Sequence, residues 1–169
     1  MRILITGGRG QLGRGLQQAL SAETVLALGH HELDVTDAAA VRRAVGRFRP
    51  QVVIHAAAYT DTAGCEADPE LAMRVNGEGT RQVALACRES DVAMLYVSTN
   101  EVFDGQKGKA YLESDEPEPV NAYGRSKLAG ERYVQSILDR FYIVRTAWLY
   151  AAGGNNFPSK VLRATADGG

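Results

Sequence analysis

The first thirteen residues, MRILITGGRGQLG, restrict this chain more than any other stretch. Arg2–Thr6, centred on Ile3, Leu4 and Ile5, is a short apolar run of the kind that makes a fully buried strand. It breaks at once into Gly7, Gly10 and Gly13, spaced as GxxGxxG. From Gln11 onward Leu12, Leu16, Ala19 and Leu20 recur at helical spacing. Strand, glycine turn and helix form the layout in which a dinucleotide pyrophosphate rests on a helix N-terminus. Missing side chains admit the backbone closely, and free N–H groups with the helix dipole attract the anion. The same layout also serves as a ligand-free tight turn, so the rest of the chain has to decide between the two.

Strand and helix signals alternate downstream. Thr24–Leu28 is a second apolar run, stopped by Gly29. Thr36 or Asp37 caps a helix with Ala40, Val41, Ala44, Val45 and Phe48 inward, and Pro50 ends it. Residues 51–58 are too apolar for a half-exposed strand and read as a central parallel one. Residues 59–68 are polar and loop-like, and Pro69 opens a long helix over 70–89. A fourth strand covers 92–98, and 99–120, with Gly105, Gly108, Pro117 and Pro119, is a loop long enough to carry function. A helix over 122–138, a fifth strand over 141–145 and a last helical segment near 158–166 complete the pattern. It predicts a doubly wound parallel α/β sheet with right-handed crossovers, helices on both faces and strand order 3-2-1-4-5.

Composition removes several classes of function. The formal net charge of −1 and the lack of a basic run argue against nucleic acid. The longest apolar stretches are strand-sized, so no membrane partner is expected, and no secretory signal precedes the first strand. Cys65 and Cys87 lack metal or redox spacing and read as reduced thiols of a cytoplasmic protein, with Cys87 as packing. No metal is expected, and His55, inside a buried strand, reads as a satisfied core histidine.

Chemistry enters at Tyr123-Gly124-Arg125-Ser126-Lys127. Tyr and Lys four apart share a helical face, so the ammonium can lower the phenol's ordinary value near 10. Such a tyrosine gives a proton to a carbonyl oxygen while a nicotinamide gives hydride to carbon. Thr99 follows the fourth strand, at the carboxyl edge where doubly wound folds bind ligands, and its hydroxyl can reach the same oxygen.

GxxGxxG together with YxxxK resembles the extended short-chain dehydrogenase/reductases of the NAD(P)-binding Rossmann superfamily. Finer matches are TGGRGQLG (6–13), ELDVTD (32–37), HAAAYT (55–60), VSTNEVFDG (97–105), NAYGRSKLAGE (121–131), VRTAWLY (144–150) and NNF (155–157). The set is similar to the branch that reduces the 4-keto group of dTDP-linked 6-deoxysugars with NADPH or NADH, in nucleotide-sugar and cell-surface polysaccharide synthesis. That resemblance implies a catalytic Thr99, Tyr123 and Lys127. It implies cofactor contacts from Gly7, Gly10, Gln11, Leu12 and Gly13, from Asp34 and Val35 near the adenine, and from Ala56, Ala57 and Ala58 beneath the nicotinamide ribose. Tyr123 and Lys127 join the cofactor set, and Asn100, Glu101 and Trp148 are candidate substrate residues. Asn76, mid-helix, is expected to bond a backbone carbonyl near the fourth strand. In this superfamily the helices over 70–89 and 122–138 would form the seam of a homodimer.

Three departures qualify the match. The branch usually reads STDYVF after the fourth strand, whereas here Asn100 and Glu101 replace the Asp and Tyr. Residues 61–66, DTAGCE, keep acidity but lack the lysine of a VDKAE-like stretch. Branch members are also much longer. Residues 1–150 are therefore expected to form the NAD(P)-binding domain and 151–169 the start of a truncated substrate portion, its C-terminal remainder absent here. Such a chain should bind dinucleotide yet reduce the sugar nucleotide poorly or not at all. Between the cofactors Arg9, inside the glycine turn, tilts the balance mildly to NADPH by reaching a 2′-phosphate. The end of the second strand, Gly29-His30-His31, shows no acid for NADH. The alternatives are a nucleotide-sugar epimerase or dehydratase, and a non-catalytic cofactor-binding regulatory subunit, against which the intact Thr99–Tyr123–Lys127 set weighs.

Overall fold

The structure is a computed structural model and describes residues 1–151 and 157–166. Five parallel strands make one sheet: β1 (Arg2–Thr6), β2 (Thr24–Leu28), β3 (Val52–His55), β4 (Ala93–Thr99) and β5 (Phe141–Thr146). Helices α1 (Gln11–Ala19), α2 (Ala38–Phe48), α5 (Gly79–Glu89) and α6 (Ala122–Ile137) connect them. Alternation along each strand sorts the core into two layers. Leu4, Val53, Met94 and Tyr96 point to one face and pack with Val41 and Val45 of α2, Val83 of α5 and Val134 of α6. Ile3, Ile5 and Ile54 point to the other and pack with Leu16 of α1.

The doubly wound class with helices on both faces stands as read, but the strand order does not. It runs β2-β1-β3-β4-β5, so the third strand lies beside β1 and not outside β2. Burial explains the difference. Val53, Ile54 and His55 are buried on both faces of the sheet, whereas every residue of β2 keeps some exposure. The most apolar strand takes the centre, and α2 must cross the sheet to bring it there. The order therefore reverses between β1 and β3, and the crevice at such a switch point is where this class binds ligands.

Local chemistry sets the ends. Asp37 caps α2, its Oδ1 accepting from Ala39 and Ala40 at 2.9 and 3.0 Å. Arg49 leaves that helix at φ 50 and Pro50 prevents its resumption. β3 is shorter than the apolar run 51–58, because Ala56–Ala58 leave the sheet. The stretch 59–68 is not all loop: Asp61 caps a short helix α3 (Thr62–Ala67). With Cys65 as its one buried residue, that helix carries no periodicity to read. The helix expected over 70–89 is broken into α4 (Pro69–Ala72), a π-helical turn (Met73–Glu78) and α5. The long loop starts with a 3₁₀ turn (Asn100–Val102), and a last helix, α7 (Phe157–Ala166), follows β5. Asn155 and Asn156 of the NNF match lie outside the described residues. Among the described residues no helix is long and apolar enough to cross a membrane.

Candidate active site

Thr6, His55 and Thr99 end β1, β3 and β4 at the same edge of the sheet, and the site is built on that edge. Between β1 and β3 opens a cleft of about 450 Å³. Gly7 and Gly10 form one wall, Asp34 and Val35 another, and Ala56–Ala58 the floor. The glycines are obligatory here. Gly7 sits at φ +71, and a Cβ on it would lie 2.7 Å from the Ala57 nitrogen. A Cβ on Gly13 would lie 2.4 Å from the Gly7 carbonyl oxygen. Gly10, the N-cap of α1, offers no side-chain oxygen to the first-turn N–H groups, which leaves that end suited to an anion. These features fit a dinucleotide. Gln11 and Leu12 stand in the first turn and do not line the cleft with their side chains; Gln11 Nε2 donates to the Leu149 carbonyl at 2.8 Å. Asp34 is fixed by accepting from the Thr36 N–H and hydroxyl at 2.9 and 2.8 Å, bonds that hold its carboxyl below the usual value.

His55 is a satisfied core residue. Thr80 Oγ1 donates to the Asn76 carbonyl at 2.6 Å, so His55 Nε2 must be the donor of its 3.0 Å bond to that oxygen. Its Nδ1 then accepts from Thr6 Oγ1 at 2.6 Å, and burial pushes the imidazole down to about 3. Asn76 does not reach the fourth strand as expected. Its Oδ1 accepts from the Tyr59 N–H at 2.8 Å, and its Nδ2 donates to the Tyr59 carbonyl at 3.0 Å and to Ser126 Oγ at 2.9 Å. The clamp holds the chain just past the alanine floor, where Tyr59 both lines the cleft and, like Tyr123, packs against Cys65, Ala72 and Ala122.

Thr99 is buried, and its Oγ1 accepts from the Glu101 N–H at 3.2 Å. Tyr123 opens α6, whose cap Asn121 accepts from Gly124 at 2.7 Å and donates to Glu101 Oε2 at 2.6 Å. Gly124 is needed because the Glu101 carbonyl would lie 2.1 Å from a Cβ there. The phenol is not lowered as the sequence suggests. Burial, and next the Glu101 charge, push it up to about 12, while a hydrogen bond from Thr99 acts the other way. Lys127 lies on the same helical face but is buried, its Nζ donating to the Val97 carbonyl at 2.7 Å and standing 4.1 Å from the Tyr96 ring centre. Burial pushes the ammonium down to about 7, against the pull of Glu131.

Glu131 is the residue that sequence reading missed. Buried one turn beyond Lys127, it accepts a fork from Arg145, Nε at 3.0 and Nη2 at 2.7 Å, and the Ser98 hydroxyl at 2.5 Å. Its place four residues after Lys127 was the available signal. The substrate candidates do not converge. Asn100 faces a second cavity, beside β5, while Glu101 is spent on the α6 cap. Trp148 is 79% exposed at φ 51, so it is no part of the core. Both cysteines are buried free thiols, and burial raises Cys87 to about 12. Among the described residues no cluster of His, Cys, Asp or Glu could hold a metal.

A doubly wound sheet with a glycine-walled cleft at its switch point and a Thr, Tyr and Lys beside it defines a domain of the extended short-chain dehydrogenase/reductase type. The chain belongs to the family of the RmlD substrate binding domain, which matches residues 1–169. The dTDP-4-dehydrorhamnose reductase of Streptomyces griseus is 50% identical over 169 residues, 98% of this chain and 56% of that protein. A crystal structure of dTDP-4-dehydrorhamnose reductase from Bacillus anthracis in complex with NADP superposes with TM-score 0.95 at 38% identity, covering 98% of this chain and 60% of that one. A UDP-glucose 4-epimerase from Thermus thermophilus, in complex with NAD, gives TM-score 0.80 at 27% identity over 92% of this chain and 59% of its own. This chain thus spans little more than half the length of the reductase it matches.

Proposed function

We propose that the chain carries the dinucleotide site and the catalytic residues of a dTDP-4-dehydrorhamnose reductase, which forms dTDP-L-rhamnose by reducing a 4-keto group. One observation carries the reading: Thr99 and Tyr123 stand together at the carboxyl end of β4, with Lys127 one turn below, and Tyr123 packs on the same Cys65, Ala72 and Ala122 cluster as Tyr59 of the glycine cleft. In this reading residues 1–150 hold the cofactor, and 151–169 begin the substrate portion. Gly7, Gly10, Gln11, Leu12 and Gly13 hold the pyrophosphate with backbone groups. Asp34 and Val35 border the adenine, and Ala56–Ala58 the nicotinamide ribose. NADPH is mildly preferred, and the reaction belongs to the cytoplasm.

The dihydronicotinamide supplies hydride to the carbonyl carbon. Tyr123 donates its proton to the carbonyl oxygen, and a phenol held at about 12 is fully in the donating form at neutral pH. Thr99 donates a second hydrogen bond to that oxygen. Lys127, one turn along the same face with its ammonium held on the Val97 carbonyl, is assigned the role of favouring the phenolate left behind. Under single-turnover conditions with 4-deuterated NADPH, deuterium should appear at C4 of the sugar. Tyr123→Phe should slow the transfer by about 10²-fold or more, a usual range for a lost general acid, and leave NADPH affinity within about twofold. Full-rate transfer by Tyr123→Phe overturns the reading. The likeness to an epimerase supports a second reading, in which the cofactor stays bound through turnover. Release of NADP with the reduced product separates the two.

A further inference from the structure

Glu131 is a buried charge that the proposed mechanism does not use. It is 1% exposed, on the turn of α6 that follows Lys127. Its Oε1 accepts from the Ser98 hydroxyl at 2.5 Å and from Arg145 Nε at 3.0 Å, and its Oε2 from Arg145 Nη2 at 2.7 Å. A carboxyl that takes a guanidinium fork on both oxygens is ionised. Three successive residues at the end of β4 meet α6 through polar bonds. The Val97 carbonyl accepts from Lys127 Nζ at 2.7 Å, the Ser98 hydroxyl donates to Glu131, and the Thr99 side chain hydrogen-bonds Tyr123. β5 closes the arrangement from its other side. There Arg145 holds Glu131, and Thr146 Oγ1 donates to the Ser98 carbonyl at 3.2 Å.

We propose that Glu131 is a positioning residue: its carboxylate ties the end of β4, with Thr99, to the helix that carries Tyr123 and Lys127, and stands behind Lys127 as a buried anion. The inference rests on the reading of Thr99, Tyr123 and Lys127 given above. Stability alone is a poor reason for a charge in this place. A buried ion pair exchanged for apolar side chains of the same volume is often neutral or stabilising. What the pair supplies is a fixed arrangement. Ser98 is the residue before Thr99, so freedom at Ser98 carries the Thr99 hydroxyl away from Tyr123, and about 1 Å of misplacement can cost on the order of 10²-fold in rate. Charge acts in the same sense. Lys127 is faced by Tyr96 from β4, neutral His55 from β3, Tyr123 and Glu131 from its own helix, and Arg145 of β5 behind Glu131. Glu131 supplies the negative charge among them, and it opposes the loss of the Lys127 proton that burial favours.

The test pairs a titration with a rate. The Lys127 Cε resonance, assigned by its loss in Lys127→Met, is followed by carbon NMR against pH in the parent chain, Glu131→Gln and Ser98→Ala, without sugar or nucleotide. Single-turnover hydride transfer from NADPH is measured on the same proteins. Glu131→Gln should lower the pH at which Lys127 titrates by about one unit, the low end of what one nearby opposite charge does, and slow transfer by about tenfold or more. Ser98→Ala keeps the charge and cuts the tie, so it should slow transfer about as far while Lys127 titrates as in the parent. Should Glu131→Gln fail to fold, Glu131→Asp replaces it, with the charge kept on a shorter arm, slower transfer and an unmoved titration. A merely structural Glu131 would lower the urea midpoint and leave both readouts of the folded protein where they were. An unmoved titration in Glu131→Gln, or parent-like transfer in the variants, overturns the inference. A parent chain that transfers no hydride counts against the reading of the site, while the titration still decides the tie between Glu131 and Lys127.

Discussion

Lys127 is surrounded by protein on every side, and that makes its proton a stability variable. Glu131 of the same helix, the Tyr96 ring of β4, His55 of β3 and, through Glu131, Arg145 of β5 are the ionisable and charged groups around it. In the folded chain the ammonium releases its proton near 7, in the unfolded chain near 10.5. Between those values the unfolded state binds more protons, so the penalty for burying the charge is absent above about 10.5 and complete below about 7. Lys127→Met should therefore flatten the rise of stability from pH 7 to pH 10 by a slope of up to about 1.4 kcal/mol per pH unit. Urea midpoints of both proteins across that range measure it, and parallel slopes would refute it. That Tyr123 and Lys127 share a helical face was legible from their spacing, because i and i+4 share a face whatever surrounds them; that the ammonium turns to the Val97 carbonyl and the Tyr96 ring was not. The direction of the tyrosine's shift was not. It depends on how much water the fold removes and on Glu101, twenty-two residues away in sequence, and neither is encoded in YxxxK.

At the scale of elements, apolar strands and capped helices were readable, and what failed was whatever depends on contacts between elements. β1 and β2 match their apolar runs residue for residue. The order of β3 could have followed from its own apolarity, since a strand buried on both faces has no place at an edge. The π-helical turn Met73–Glu78 left no mark in the apolar periodicity, and its buried Asn76 is held by tertiary partners. Asn76 faces the Tyr59 backbone and pairs with both of its polar groups, while the Asn76 carbonyl serves the Thr80 hydroxyl. Asn76→Ala leaves the Tyr59 N–H and C=O without this partner, and should cost about 2–3 kcal/mol by the usual penalty for such groups. Asn76→Asp keeps the acceptor for the Tyr59 N–H but sets a buried carboxyl against the Tyr59 carbonyl, and should be destabilised as well. Both should weaken NADPH binding, because Tyr59 ends the cleft. Urea unfolding with NADPH titration distinguishes this from a merely structural role, in which affinity would not move.

Taken whole, the molecule is covered unevenly. Helices α2, α5 and α6 share one face of the sheet, but among the described residues α1 alone packs on the other, over β1, β2 and β3. β5 is an edge strand, and its residues alternate between the two faces, so Tyr142 and Val144 point to the poorly covered side at 74% and 40% exposure. Trp148, Leu149 and Tyr150 extend the exposed apolar run beyond the strand. An edge that presents unpaired backbone groups beside apolar side chains is a template for pairing with another chain. The chain by itself should therefore self-associate as its concentration is raised, and Tyr142→Lys with Val144→Lys should suppress this while leaving NADPH affinity unchanged. A dimer built on α5 and α6 would use the opposite face of the sheet and survive both lysines. Sedimentation velocity at several concentrations separates the cases: loss of the larger species in the double variant places association at β5, and identical profiles refute it.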